Sequence, residues 1–142
     1  MTNTATPNTA AATDTMPVQV THNVTLGFLW DVMTTAVESH YEWFGFEKVT
    51  RRPGGDDEHA LCVTSFSAVE VDDDDGINLS ITVITPEVMR DAIVKLLAGG
   101  LVHKGLTASI ASAVANDDAG NIDADAADCI LQVACFDEIR YG

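Results

Sequence analysis

Positive charge is what this sequence has least of. Its 142 residues hold 7 Lys and Arg against 22 Asp and Glu, a formal net charge of -15 at pH 7 with His neutral. Nucleic acid, polyphosphate and anionic membranes are gripped by Lys and Arg that release counterions, so none of these is expected as a direct partner. Cysteine is scarce too. Cys62, Cys129 and Cys135 form an odd set at spacings that suit no zinc motif, and they read as small buried residues in a reducing compartment. No apolar run approaches the 18 residues of a membrane span. The stretch Met1 to Met16 lacks the basic and apolar regions of a secretory signal, and its Thr, Ala, Asn and Pro predict a disordered tail. The expected location is therefore cytoplasmic.

Catalytic signatures are missing as well. There is no Gly-x-Ser-x-Gly elbow, no Walker loop and no dinucleotide fingerprint, and the four histidines (His22, His40, His59, His103) form no ligand-like pair. Asn121, Asp123 and Asp125 fit the first positions of a calcium loop. Ala126 then stands where the sharp turn needs Gly, and Gln132 where a bidentate Glu belongs. No metal, no cofactor and no enzymatic activity are expected. Acid-base work by His40 is the alternative that its neighbour Glu42 keeps open.

What is present is enough apolar material for a core, 46% of the chain, in patterns that alternate between two periods. Pro17 to Thr25 alternates loosely and predicts a first strand. Leu26, Leu29, Trp30, Met33 and Val37 make one helical stripe, capped by Thr25. Tyr41 to Thr50 reads as an aromatic strand, and Arg51 to Glu58 as a loop. Leu61 to Val71 reads as another strand, with a bulge near Ser65. The acids Asp72 to Asp75, followed by Gly76, predict a hairpin turn. Ile77 to Val83 alternates most cleanly of all. Thr85-Pro86-Glu87 opens a helix that Gly99-Gly100 ends. Two more helices are expected, over 107–115 and from Asp123 or Asp125 to Cys135, with Asp137 to Gly142 as a short edge strand. The chain is thus a disordered tail, 1–16, and a single α+β domain, 17–142. That domain is a mainly antiparallel sheet of about four strands with about four helices packed on one face.

Two features stand out as candidate binding surfaces. One is the aromatic segment Tyr41, Trp43 and Phe44, dense in a chain with nine aromatics; core packing is the other reading of the same residues. The second is the acid itself. Twelve of the 22 acids fall in Asp56 to Glu58, Asp72 to Asp75 and Asp117 to Asp128, which makes Asp72, Asp73, Asp117 and Asp118 candidates for contact with a partner. Turns, caps and solubility, including solubility in high salt, account for the same positions.

Glu38-Ser39-His40-Tyr41-Glu42-Trp43-Phe44 resembles the Gly-Gly-Ser-x-Tyr-Trp segment of an uncharacterised family of small tailed-phage and prophage proteins. The far end, from Asn116-Asp117-Asp118 through Leu131-Gln132 and Phe136-Asp137-Glu138 to Tyr141-Gly142, is similar to that family's closing pattern of Leu-Gln, Phe-Gly-Glu and Tyr-Gly. The glycine pair before the tyrosine is absent here, and Asp137 replaces the glycine of Phe-Gly-Glu. The resemblance implies a phage or prophage accessory protein in the host cytoplasm, with no reaction attached. Such a protein is expected to act without catalysis, binding a host or anti-phage defence component that is either a protein or a small signalling molecule. The alternative is an acidic DNA mimic that occupies a nucleic-acid-binding protein. Self-association is compatible with both.

Overall fold

Each of the four helices starts at a side chain that supplies a hydrogen-bond acceptor to an otherwise unpaired amide. In the computed structural model, which describes residues 14–53, 61–72 and 77–142, α1 spans Leu26–Glu38 and Thr25 Oγ1 accepts from Phe28 N at 3.1 Å. The second helix, α2, spans Pro86–Leu97 behind Thr85, with Pro86 at its first position and Glu87 in its first turn. Gly99 and Gly100 follow with φ of 90° and 91°, the left-handed backbone that ends a helix at little cost for glycine. The third, α3, spans Lys104–Ala115, and the ring nitrogen Nδ1 of His103 caps it by accepting from Leu106 N at 3.1 Å. That unusual cap starts the helix three residues before the sequence pattern does. A short 3-10 turn, Ala119–Asn121, leads to α4, Ala124–Phe136, capped by Asp123.

Three strands form one antiparallel sheet in the order β1-β2-β3: Phe44–Pro53, Leu61–Asp72 and Ile77–Ile84. Register pairs Phe44 with Glu70 and Phe46 with Ala68 across the first ladder, and Phe66 with Ile84 across the second. One face therefore carries Phe44, Phe66, Ala68, Glu70 and Ile84, all buried. Phe44, Phe66, Ala68 and Ile84 join the helices in one core with Met33, Met89, Leu96, Ile110, Ile130 and Leu131. Burying side chains of that size contributes roughly 1.5–3 kcal/mol each. The register slips between Glu47 and Thr50, where Lys48 has φ 54°, and again between Thr50 and Arg51, opposite Ser65 and Val63. The second slip lies beside the bulge the sequence pattern suggests. The compensating bulges turn Val63 into the core, where its amide also donates to Thr34 of α1 at 2.9 Å.

On β3 the usual orientation is inverted. Ile81 pairs with Val69 and Val83 with Ser67 on the outer face, and Ile81 and Val83 are 61% and 62% exposed. The polar positions Ser80 and Thr82 share the face of Ile84.

The described residues hold three strands where about four are expected. Pro17–Thr25 has no regular secondary structure and joins no ladder. Its valines alternate, yet Val18 and Val20 stay exposed and Val24 alone packs on the core, which places the segment on the helical side, away from a strand edge. Asp137 to Gly142 forms no strand either, for a reason that lies in α4. Residues 1–13 of the expected tail over 1–16, residues 54–58 of the expected loop over 51–58 and the hairpin turn at 73–75, Asp73 included, lie outside the described residues, while Arg51 to Pro53 of that loop belong to β1. No described helix is long and apolar enough to cross a membrane.

Candidate functional site

Asp128, Gln132 and Phe136 recur every four residues along α4 and so share one face. Helix α4 ends at Asp137, whose φ of 59° is left-handed, and the chain turns back along that face. Gln132 is fully buried. Its Oε1 accepts from the backbone N of Arg140 and of Tyr141, both at 2.8 Å. Its Nε2 donates to Tyr141 O at 2.9 Å and to Asp128 Oδ1 at 3.2 Å. A carboxamide has two acceptor and two donor capacities, and all four are used. One side chain thus holds the returning backbone in the way a neighbouring strand would, which is why no edge strand forms there.

The returning segment places Tyr141 flat on Trp43, with ring centroids 5.4 Å apart and planes 8° apart. Trp43 is buried between Phe44 at 5.0 Å and Phe136 at 5.4 Å. Its Nε1 donates to Asp128 Oδ1 at 2.7 Å. Tyr141 OH donates to Glu70 Oε2 at 2.6 Å, and Ser80 donates to Glu70 Oε1 at 3.3 Å. Arg140 lies 3.6 Å from the same Glu70 carboxylate, while its guanidinium sits 4.2 Å from the Phe136 ring centroid. Glu70 is only 4% exposed, so these contacts are what make its charge tolerable inside the fold.

The structure brings Tyr41, Trp43 and Phe44 together, as their spacing suggests, but as packed walls instead of an open pocket. Tyr41 OH donates to Ala124 O at 2.5 Å, and its ring lies 5.8 Å from Phe44. Burial pushes its phenol up to about 12, with Asp128 and Asp125 adding to the rise and a Ser39 hydrogen bond opposing it. Asp117 and Asp118 lie elsewhere, after α3. Asp117 accepts from Thr25 N at 2.9 Å and from Thr25 Oγ1 at 3.3 Å, tying the start of α1 to the end of α3. Asp118 accepts from Gly120 N and Asn121 Nδ2. Asp72 ends β2. His40 is exposed, with φ 54° and its ring 6.5 Å from Phe46.

Gln132, Glu70 and Asp128 are the site residues that sequence reasoning missed. An amide between Leu131 and Val133, inside an otherwise apolar helix turn, was the available signal.

A second concavity lies on the helical side. The stretch 18–24 lies beside α1, α2 and α3, and a groove of about 620 Å³ opens along it. Leu29, Ile93, Val94, Leu97 and Val114 make its apolar floor, and Arg90 with His22 stands where it meets a smaller hollow of about 380 Å³. Arg90 pairs with Asp91 at 3.0 Å and remains largely exposed.

All three cysteines are free. Burial raises each thiol, and neighbouring carboxylates add to the rise: Asp31 at Cys62, Asp128 at Cys129 and Glu70 at Cys135. Raised thiols are protonated near neutrality and make poor nucleophiles. Among the described residues no group of three His, Cys, Asp or Glu is placed to hold a metal. Asn121 and Asp123, from the calcium-like pattern, instead bond to Asp118 and cap α4.

The described residues form a small α+β protein with a cleft filled by its own chain and a groove left open. No family model, no curated protein and no solved structure matches it.

Asp137 holds left-handed backbone, φ 59°, where glycine is the usual residue. A non-glycine residue in left-handed backbone costs about 1 kcal/mol, against an exposed Lys95–Asp137 ion pair of about 0–1 kcal/mol. Asp137→Gly is therefore expected to stabilise the chain by up to about 1 kcal/mol, read as a higher urea midpoint with an unchanged slope. A lower midpoint would show that the ion pair outweighs the backbone.

Proposed function

We propose that this is a phage or prophage accessory protein that acts without catalysis, by binding a host or anti-phage defence component. The component is a small, largely apolar molecule with one negative charge, taken up in the groove beneath residues 18–24. The observation that carries this reading is the groove's chemistry. Its volume of about 620 Å³ lies in the range of small-molecule sites, roughly 300–1,000 Å³. It joins a floor of Leu29, Ile93, Val94 and Leu97 to a cation, Arg90, in a chain with 7 Lys and Arg in all. Val18, Val20 and Val94 remain 84%, 69% and 60% exposed around it. Apolar surface left open beside the guanidinium of Arg90, which is largely exposed and pairs with Asp91 on its own helix, suits an amphipathic anion. The DNA-mimic alternative draws no comparable support, since Asp117, Asp118, Asp123 and Asp128 are each engaged in hydrogen bonds within the fold.

Anilinonaphthalene sulfonate, itself an apolar anion, tests the reading by fluorescence titration of the native protein. Saturable one-to-one binding is expected. Arg90→Gln should weaken it about tenfold, and Val94→Glu, at an exposed position on the floor, should abolish it. Binding unchanged in both variants would sink the reading.

A further inference from the structure

The cleft at Trp43 has a different character from the groove. We propose that it is a peptide-binding site, filled here in cis by the stretch Ile139 to Gly142. In trans it takes an extended segment of another protein that carries a basic residue followed by tyrosine.

Three observations carry this. First, the occupant is held as a ligand is held. Gln132 reads the backbone on both sides, through two N–H groups and one carbonyl, the way a sheet edge captures an added strand. Trp43 and Glu70 then read the side chains, by a ring stack at 5.4 Å and a hydroxyl bond at 2.6 Å. Second, the occupant is separable. Backbone bonding of α4 stops at Asp137, whose amide donates to Val133 O, and the backbone groups of Arg140 and Tyr141 described above bond to the side chain of Gln132. Arg140 and Tyr141 stay partly open to water. Third, departure of the segment uncovers Gln132, Glu70 and Asp128 beside an indole face, and polar groups of this kind rehydrate instead of collapsing.

Charge selects the partner. Glu70 and Asp128 are the carboxylates of the cleft, Glu138 holds Arg140 at 2.9 Å from outside, and the whole chain carries -15. A second acidic copy is repelled, whereas a basic segment is drawn in. The cis segment acts as a competitor at an effective concentration on the order of millimolar, so the trans partner must match its chemistry to displace it.

The test uses the full chain with Arg140→Ala and Tyr141→Ala together, which keeps the tail's backbone and removes its two anchoring side chains. The probe is a capped peptide of sequence Glu-Ile-Arg-Tyr-Gly, followed by tryptophan fluorescence and calorimetry. Saturable one-to-one binding is expected, at least about tenfold tighter than to the unmodified chain. It should be lost when the peptide carries Ala-Ala in place of Arg-Tyr, or when Gln132→Leu is added to the protein. No binding to the doubly substituted chain overturns the proposal, and so does binding that survives Gln132→Leu. Should the double variant fail to fold, Tyr141→Ala alone takes its place under the same two criteria. A concentration-dependent dimer of the unmodified chain that the peptide fails to dissociate would assign the cleft to a second copy, and would also overturn it.

Discussion

A Gln132→Leu chain is expected to lose about 2–3 kcal/mol of stability, although leucine matches the apolar surroundings better than the amide does. The loss arises in the segment that the amide holds. With no acceptor opposite them, the amides of Arg140 and Tyr141 either stay buried without a partner or carry the segment out into water. An unsatisfied buried donor costs about 1–3 kcal/mol, and departure of the segment sets the upper limit by letting those groups hydrate. Departure also strips Tyr141 from Trp43 and from the Glu70 carboxylate. Two readouts follow: a lower urea midpoint, and a red-shifted tryptophan emission as the indole face meets solvent. A Gln132→Leu variant as stable as the parent, with unshifted emission, would mean that the amide fastens nothing. Arg140→Ala serves as the comparison. Its side chain is 45% exposed, so its removal is expected to cost less than the loss of the buried amide.

Alkali is expected to destabilise the protein as two buried neutral groups are forced to ionise. Burial holds the Cys135 thiol at about 11, against 9.0 for an ordinary thiol, with Glu70 adding to the rise and Thr82 opposing it. The Tyr41 phenol is pushed from 10.0 to about 12. Both groups are neutral below the lower value and charged above the upper one. Between the two, the unfolded chain has released a proton that the native chain retains, so stability falls with rising pH. The window opens near 9 for Cys135 and near 10 for Tyr41, and closes near 11 and 12. Each unit of difference corresponds to about 1.4 kcal/mol. Since Tyr41 is half open to screening solvent, the combined loss is on the order of 3 kcal/mol. Urea midpoints at about pH 8 and about pH 11 measure it. Cys135→Ala should flatten the lower part of the decline, and an unchanged slope in that variant would remove Cys135 as its source.

Local chemistry made most of the fold legible. Thr25 and Thr85 announce their helices, Gly99-Gly100 ends one, and the alternation of Ile77 to Val83 marks a strand whose register is then set by β2. The misreadings share a cause, which is dependence on distant geometry. Val18, Val20 and Val24 look like a strand because alternation is visible in sequence and the absence of a neighbouring edge is not. His103 opens a helix through a ring nitrogen that seldom serves as a cap. In the candidate site, Trp43 and Phe44 could be read as core from their size. Gln132 could not be assigned a role, since its partners lie eight and nine residues further on. They reach it only because Asp137 adopts a backbone usually reserved for glycine.

Strand β3 has a consequence that concerns encounters between molecules. It lies at the edge of the sheet, Ile77–Ile84 contains no charged residue, and Ile81 and Val83 face outward. Many proteins place a lysine or a proline on such a strand to keep a second copy from zipping onto it. Here that protection is collective: fifteen net negative charges keep two copies apart before their edges can align. At physiological ionic strength the repulsion reaches about 8 Å, beyond the roughly 4.8 Å that separates paired strands. In about 1 M salt it shrinks to about 3 Å, and the edge is left unguarded. The acidity of this chain thus acts as a colloidal barrier whose height is set by the surrounding electrolyte.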